Sequence, residues 1–319
     1  MHIPSYLMKS GGFMSRYIFK RLIISLLTVW ILVTAVFLLI RVLPGDPFTS
    51  EKMTPEIKAN MMKYYGFDRP LYEQYGKYIM NLLKGDLGNS LKYHNMSVND
   101  IIAQTFPYSA DLGIRALLFA LIAGLCLGIN AALKMGKFWD YFCITLAIIG
   151  VSVPDFILGS LLQYVFALQL KWFPVARWLG FKYTILPVFG LSLYTVALIT
   201  RLMRVSMLDV INQDYITTAE AKGLSTFQII WRHQIRNAIL PIVTVMGPIT
   251  AAVLTGTFVI EMIFAVPGMG KFYVQGIHDL DYSLILGMTV FYGVFLVAAN
   301  FIVDIIYGLV DPRIRITGK

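Results

Sequence analysis

Charge is scarce in this sequence. Charged residues make up 14% of the chain, hydrophobic residues 57%, and the mean hydropathy is +0.68. Soluble globular chains carry roughly 25% charged and 45–50% apolar residues, so a soluble globular protein is excluded. Cysteine is nearly absent. Cys126 and Cys143 both lie in or beside apolar runs, which leaves no disulfide framework and no cysteine-based metal spacing. The four histidines, His2, His94, His233 and His278, are scattered over loops, with no His-Glu-x-x-His and no Cys/His cluster. No Gly-x4-Gly-Lys-[Ser/Thr] phosphate loop occurs, and the nearest match, Gly268-Met269-Gly270-Lys271, is too short. Gly-x-Ser-x-Gly is missing too, and no nucleophile–base set of a hydrolase can be assembled. The sequence thus offers neither a catalytic site nor a nucleotide site of its own.

What it does have is long uncharged runs. Leu22–Ile40 is close to the roughly 20 residues a helix needs to cross a bilayer. Further spans are expected over Tyr108–Leu133, Tyr141–Leu168, Ile185–Thr200, Ala238–Ile260 and Leu284–Val303. The fold expected is all-α, a polytopic membrane protein of about six transmembrane helices. The formal charge of +9 is a matter of topology, with no nucleic-acid partner implied, because the positives cluster between the apolar runs. Lys9, Arg16, Lys20, Arg21, Lys134, Lys137, Arg201, Arg204, Lys222, Arg232, Arg236, Arg313, Arg315 and Lys319 fall on one side. The short loops of the other side hold only Lys171, Arg177, Lys182 and Lys271. Both termini are therefore expected inside. The basic start before an apolar run superficially suggests a signal peptide, but the run is long and lacks a small-residue cleavage pattern, so it reads as a retained first span.

The chain divides into residues 1–41 (N-terminus and first span), an outer loop subdomain over 42–107, a transmembrane core over 108–310 and a tail over 311–319. In the outer loop, Asp68 is expected to cap a helix with Pro70 and Glu73 in its first turn. Leu71, Tyr75, Tyr78, Ile79 and Leu82 form its apolar face, and Gly85-Asp86-Leu87-Gly88 ends it. Asp111 and Arg115, at i, i+4, can pair. The third span is interrupted by Ser152-Val153-Pro154-Asp155, and a charge in mid-span marks a cavity or a partner. Pro154, Asp155, Gln163 and Pro248 are accordingly candidates for a solute path. The alternative, favoured for Gln163 and for Asn300, is a bond to a neighbouring helix. Glu261, Asp279 and Asp281 fall in expected outer loops, either as solvated charges or as a docking surface for an extracellular partner.

The longest polar-rich segment of the second half runs from Asp214 to Pro241. Asp214 is expected to cap a short helix containing the helix formers Ala219, Ala221 and Lys222, and Gly223 to end it. Ser225 and Gln228 read as a capping box opening a second helix, on which Phe227, Ile230, Trp231 and Gln234 form a stripe beside Arg232, His233 and Arg236. An apolar and basic stripe after a glycine hinge suits a helix that plugs into another protein's groove at the membrane surface.

The order Ala219-x-Ala221-Lys222-Gly223 followed by Arg232-His233-x-x-Arg236-Asn237-Ala238 resembles the cytoplasmic "EAA" loop of ABC-importer permeases, in the form of the dipeptide/oligopeptide/nickel family. Thr217, Thr218 and Ala219 stand where Glu-Ala-Ala would be, and His233 replaces an Ile. Further matches are Leu43-Pro44-Gly45-Asp46-Pro47, Gly85-Asp86-Leu87-Gly88-x-Ser90, Trp172-Phe173-Pro174, Glu261-x-x-Phe264-x-x-Pro267-Gly268-x-Gly270 and Asp311-Pro312-Arg313. The resemblance is to the first (B-type) permease subunit of peptide importers. It implies a coupling helix between spans 4 and 5, within a loop over 205–240. Asp214, Thr218, Ala219, Ala221, Lys222, Gly223, Phe227, Trp231, Arg232 and His233 would there meet an ATPase. It implies no cofactor in this chain, with ATP and Mg bound by two ATP-binding subunits. A second, homologous permease subunit in a heterodimer, an extracellular substrate-binding lipoprotein and a peptide substrate would complete the assembly, in a bacterial or archaeal cytoplasmic membrane. A nickel or other small-solute permease of the same family is one alternative. An ATP-independent secondary transporter is the alternative from another class.

Overall fold

The computed structural model describes residues 10–42, 59, 62–63, 66–93, 96–255 and 258–310. The Leu43-Pro44-Gly45-Asp46-Pro47 motif, the 311–319 tail and Lys9 lie outside the described residues. Among the described residues the regular elements are helices, with one isolated bridge between Asn89 and Ser97. Five helical stretches are long and apolar enough to cross a membrane, and a sixth is a pair of helices bent by 109° at its break. The all-α, about six-span expectation therefore holds.

Helix α1 (Ser10–Val42) lies at the periphery, with Leu26, Trp30 and Leu39 exposed along its length, the surface a lipid-facing helix presents. Helix α2 (Leu71–Leu83) docks on it. Tyr75 and Tyr78 pack on Phe37 with ring centroids 5.3 and 5.9 Å apart, and the Thr34 and Tyr75 hydroxyls bond at 2.6 Å. Pro70, and not Asp68, occupies the N-cap position of α2 in an extended conformation. Proline needs no N–H there, and its ring disfavours helix in the residue before it.

Helix α3 spans Val98–Leu133, so the outer loop ends ten residues earlier than the polar run suggests. The Ser97 hydroxyl accepts the Asp100 N–H at 3.0 Å and caps the helix. The buried stripe Val98, Ile101, Ile102 and Thr105 carries it past Pro107. Helix α4 (Phe138–Ser152) and helix α5 (Asp155–Leu162), which continues as a π-helix over Gln163–Gln169, make the bent pair. The interruption expected at Ser152–Asp155 is a full break in the helix. Val153 and Pro154 are both extended, Val153 because the residue before a proline avoids the helical region, so two consecutive residues leave the helix.

Helix α6 (Phe181–Ile211) runs through Arg201 and Arg204, beyond the boundary expected at Thr200. Its contact with α3 is the most extensive between helices among the described residues, and glycines allow it. Gly124 and Gly128 on α3 face Ile199, Thr200 and Met203, where an added Cβ would come within 2.7 Å of the Ile199 Cβ or the Thr200 carbonyl oxygen. Buried Ala120, Ala132, Met203, Met207 and Ile242 fill the same seam. Helix α7 (Asp214–Ala221) follows, and then a segment of two short α-turns, Thr226–Gln228 and Arg236–Ala238, around a π-helix, Ile229–Ile235. Helices α8 (Leu240–Thr255), α9 (Phe258–Ile263), α10 (Met269–His278) and α11 (Tyr282–Val310) complete the described chain. Helix α11 returns along α1, where Gly293 receives the Leu32 side chain. The bundle thus has one end carrying residues 66–97 and α9–α10, the loop end, and another carrying α7 and the π-helical segment.

Candidate functional site

At the end opposite the loop end, α7 and the segment after it form a small folded unit. Asp214 sits in the first turn of α7, where a carboxylate suits the helix dipole. The cap position belongs to Gln213, whose side chain makes no capping bond, so the expected Asp214 cap is not formed. The far end of α7 is a Schellman motif: the Gly223 N–H donates to Glu220 O at 2.9 Å and the Leu224 N–H to Ala219 O at 3.3 Å. Gly223 has φ +77°, the left-handed conformation that such a motif requires and that side chains resist. Directly afterwards the capping box is present. The Ser225 N–H donates to Gln228 Oε1 at 3.1 Å, and Ser225 Oγ accepts the Gln228 N–H at 3.4 Å.

The hinge encloses a miniature core of Ile216, Ala219 and Ile229, with Val210 from the end of α6 and Leu224 against it. Ala219 is buried there, so a small side chain is needed at that position. Tyr215 on α7 accepts a hydrogen bond from Asn237 Nδ2 at 3.2 Å, and Asn237 also donates to His233 O, tying the unit's two ends together. His233 itself is half-buried.

The π-helix alters the expected stripe. Its wider turn buries Ile229 and Gln234 and leaves Phe227 70% and Trp231 58% exposed, their rings 6.2 Å apart. Asp214, Thr218, Ala221, Lys222 and Arg232 of the same unit are exposed as well. The unit thus exposes two large apolar rings together with polar and charged side chains. Such a surface marks a protein contact, with aromatic residues as its anchors.

A buried ion pair fixes the neighbouring loop. Asp140, at the start of α4, is 2% exposed and takes Arg204 Nε and Nη2 at 2.6 and 2.9 Å, while also accepting the Gly136 N–H. Sequence reasoning read Arg204 as a marker of the inner boundary and passed over Asp140. The signal was there, in a lone acid beside Lys134 and Lys137 in a basic loop.

A family model described as the inner membrane component of binding-protein-dependent transport systems matches residues 124–316, and one for the N-terminal part of such membrane components matches residues 14–113. The chain belongs to this family. It is similar to the dipeptide transport system permease protein DppB of Bacillus subtilis, with 46% identity over 96% of this chain and all of that one. The oligopeptide transport system permease proteins OppB of Haemophilus influenzae and Escherichia coli K12 are 45% and 42% identical over 95% of this chain and all of theirs. Among solved structures, inward-facing conformations of the MetNI methionine ABC transporter match with a TM-score of 0.52 at 15% identity, over 66% of this chain and 96% of that one, a likeness of fold. The protein is a multi-pass permease subunit of an ABC importer, a family that works with ATPase and substrate-binding components.

At the loop end of this permease the expected docking residues are placed differently. Glu261 is 1% exposed and accepts the Gly270 N–H at 2.7 Å. The neighbouring Met269 N–H donates to Ser109 Oγ at 2.9 Å, and any Cβ at Gly268 would strike the Glu261 carboxylate. The Glu261…Pro267-Gly268-x-Gly270 motif is therefore an internal turn closed on its own carboxylate. Asp281 is fully buried. It accepts from the Ser90 hydroxyl, from the backbone N–H groups of Leu91 and Lys92, and from Leu284 N at 3.1 Å, where it caps α11. It clamps the Gly85–Ser90 loop to the last span. Both residues are corrected from docking surface to internal ties, because carboxylates that collect backbone N–H groups are stable when buried. Asp279 is half-buried and takes the Gln275 amide at 3.0 Å.

The path candidates are spread out. Pro154 and Asp155 lie at the α4–α5 break, Asp155 half-buried as the first residue of α5. Gln163 Nε2 donates to Val175 O and Ile263 O, each at 2.8 Å, and so pins the 170–180 loop and α9 to α5, which is the helix-bonding alternative. Pro248 is exposed within α8. Asp111 and Arg115 pair at 2.8 Å as expected.

Proposed function

We propose that this permease carries di- or oligopeptides, and that the unit of α7 and the segment 224–238 is its coupling element, seated in a groove of an ATP-binding subunit. The observation that carries the coupling assignment is the exposed Phe227–Trp231 pair on a hinge made rigid by the Gly223 Schellman motif and the Ser225 capping box. The peptide assignment is supported by the names of relatives that match nearly end to end, the dipeptide permease DppB and the oligopeptide permeases OppB. On this reading the chain itself is non-catalytic, and two partner ATPases bind ATP and Mg. The break at Pro154–Asp155, where Pro154 is exposed and Asp155 half-buried, and the exposed Pro248 would on this reading face a path completed by a second, homologous permease. Both termini and the coupling element lie on the cytoplasmic side, and a substrate-binding protein meets the opposite end through surfaces other than Glu261 and Asp281. ATP-driven closure of the two ATPases would move the coupling elements together and rock the spans.

The test is uptake by the whole complex reconstituted in vesicles with its binding protein. ATP-dependent accumulation of a labelled tripeptide, blocked by unlabelled peptide and not by nickel, is the expected result. Accumulation of nickel alone would keep the family and replace the cargo. Uptake driven by an ion gradient with ATP withheld would contradict the coupling assignment.

A further inference from the structure

The last turn of α1, the docked helix α2 and the start of α11 line a half-open cavity of about 300 Å³ that no part of the transport cycle above uses. Three buried polar atoms on its wall have no hydrogen-bond partner: Arg41 Nε, Tyr78 Oη and Gln74 Oε1. Buried polar groups in native proteins are nearly always satisfied, so three orphans around one cavity indicate a missing ligand. Water would satisfy a hydroxyl and an amide, and the half-buried Arg41, with its Nε unpartnered, leaves a cation on the same wall. Arg41 lies over the rings of Phe37 and Phe67, with its Cζ 5.1 and 4.6 Å from their centroids, and no carboxylate among the described residues pairs with it. The two acids on the wall have partners of their own there: Glu73 lies 3.8 Å from Arg69, and Asp86 Oδ1 accepts the Gly88 N–H at 2.8 Å. Lys77 adds a further cation to the lining. Burial also pushes the Tyr78 hydroxyl's pKa well up, so it stays a neutral O–H donor.

The donors therefore converge on an anion, and the single acceptor, Gln74 Oε1, is suited to a hydroxyl carried by that anion. The site's position narrows the class. Phe37 and Ile40 line the cavity from α1, and the same turn of α1 exposes Leu38, Leu39 and Val42, so the cavity opens where a span meets the membrane boundary. We propose that the cavity binds a phosphate oxyanion, supplied as the hydroxylated phosphodiester headgroup of an anionic phospholipid of the phosphatidylglycerol type. The fork of Arg41 and the Tyr78 hydroxyl take the phosphate oxygens, and Gln74 takes the headgroup hydroxyl. A phosphocholine headgroup brings no hydroxyl and places a fixed cation beside Lys77 and Arg69.

The test uses the intact complex in nanodiscs containing equal phosphatidylglycerol and phosphatidylcholine, followed by native mass spectrometry of retained lipid. The wild type is expected to keep phosphatidylglycerol. Arg41→Gln and Tyr78→Phe should each reduce its retention by about tenfold, the scale of one lost charge-assisted bond, with Arg41→Lys falling between. Tyr78→Phe keeps the ring stack on Phe37, so it reports on the site even if an Arg41 variant fails to assemble. A second arm measures melting of the complex in phosphatidylcholine alone against added inorganic phosphate. Stabilisation by phosphate that depends on Arg41, without selective lipid retention, would support the anion site and overturn the lipid source. Lipid retention and phosphate response both unchanged in the variants, with Tyr78→Phe neutral or stabilising as for an empty cavity, would overturn the site itself.

Discussion

Replacing Gly223 isolates backbone conformation from every other property of the proposed coupling element. The residue stands at φ +77°, and an added Cβ there meets nothing within 4 Å, so size is not the obstacle. The penalty is conformational: a non-glycine L-residue in the left-handed region costs roughly 1–2 kcal/mol, and Asn or Asp less. A loss of about 1–2 kcal/mol reduces the population of the observed hinge by a factor of roughly 5–30 relative to alternatives that break the Gly223–Glu220 and Leu224–Ala219 bonds. The hinge is peripheral to the bundle seam of α3 and α6, so global stability should hardly change. The assay is peptide uptake per ATP hydrolysed by the reconstituted complex, read beside its melting temperature. Uptake should fall in the order Gly, Asn, Ala, Val, Pro, with melting constant down to Val; Pro falls furthest because it also removes the bonded N–H. If Val matched Gly, or if Ala and Asn were equal, the strain argument would be wrong.

Other substitutions test other parts of the structure. Asp140→Asn or Arg204→Ala leaves one member of a buried ion pair uncompensated and should cost about 3–5 kcal/mol in thermal or denaturant unfolding of the complex, with Asp140→Arg combined with Arg204→Asp recovering part of it. Glu261→Gln should destabilise by about 1.5–3 kcal/mol through weakening of the bond to Gly270 N–H, with no loss of affinity for the binding protein in a pull-down, since Glu261 is buried. Gly128→Val should prevent assembly of a stable bundle, seen as loss of the folded fraction in size-exclusion chromatography, because the added Cβ would sit 2.7 Å from Thr200 O. Trp231→Ala should leave melting unchanged and weaken ATPase binding by at least ~30-fold, the scale of a hot-spot residue of about 2 kcal/mol.

Much of this molecule is legible from sequence because the bilayer imposes strict rules on span length and on charge. The spans, the Gly223 hinge and the Ser225–Gln228 box were readable, since each depends on local chemistry. The misreadings share one cause, which is that long-range partners cannot be seen along the chain. Asp140 finds Arg204 on another helix, and Asp281 finds backbone N–H groups of a loop far away in sequence. Glu261 closes a turn that reads as an exposed loop. The π-helix at Ile229–Ile235 shifts the phase of the apolar stripe, and a period of 3.6 cannot anticipate that shift. The 109° break at Val153–Pro154 shows a related limit, because a proline signals an interruption without revealing its angle.

The central claim is that the exposed Phe227–Trp231 face meets an ATPase. The direct measurement is site-specific cross-linking from Phe227→Cys, in a chain whose own thiols are removed as Cys126→Ser and Cys143→Ala. The account predicts a cross-link to an ATP-binding subunit whose yield changes when ATP is added. Labelling of that cysteine by a membrane-impermeant reagent from the outside of intact cells, with no ATPase cross-link, would contradict it.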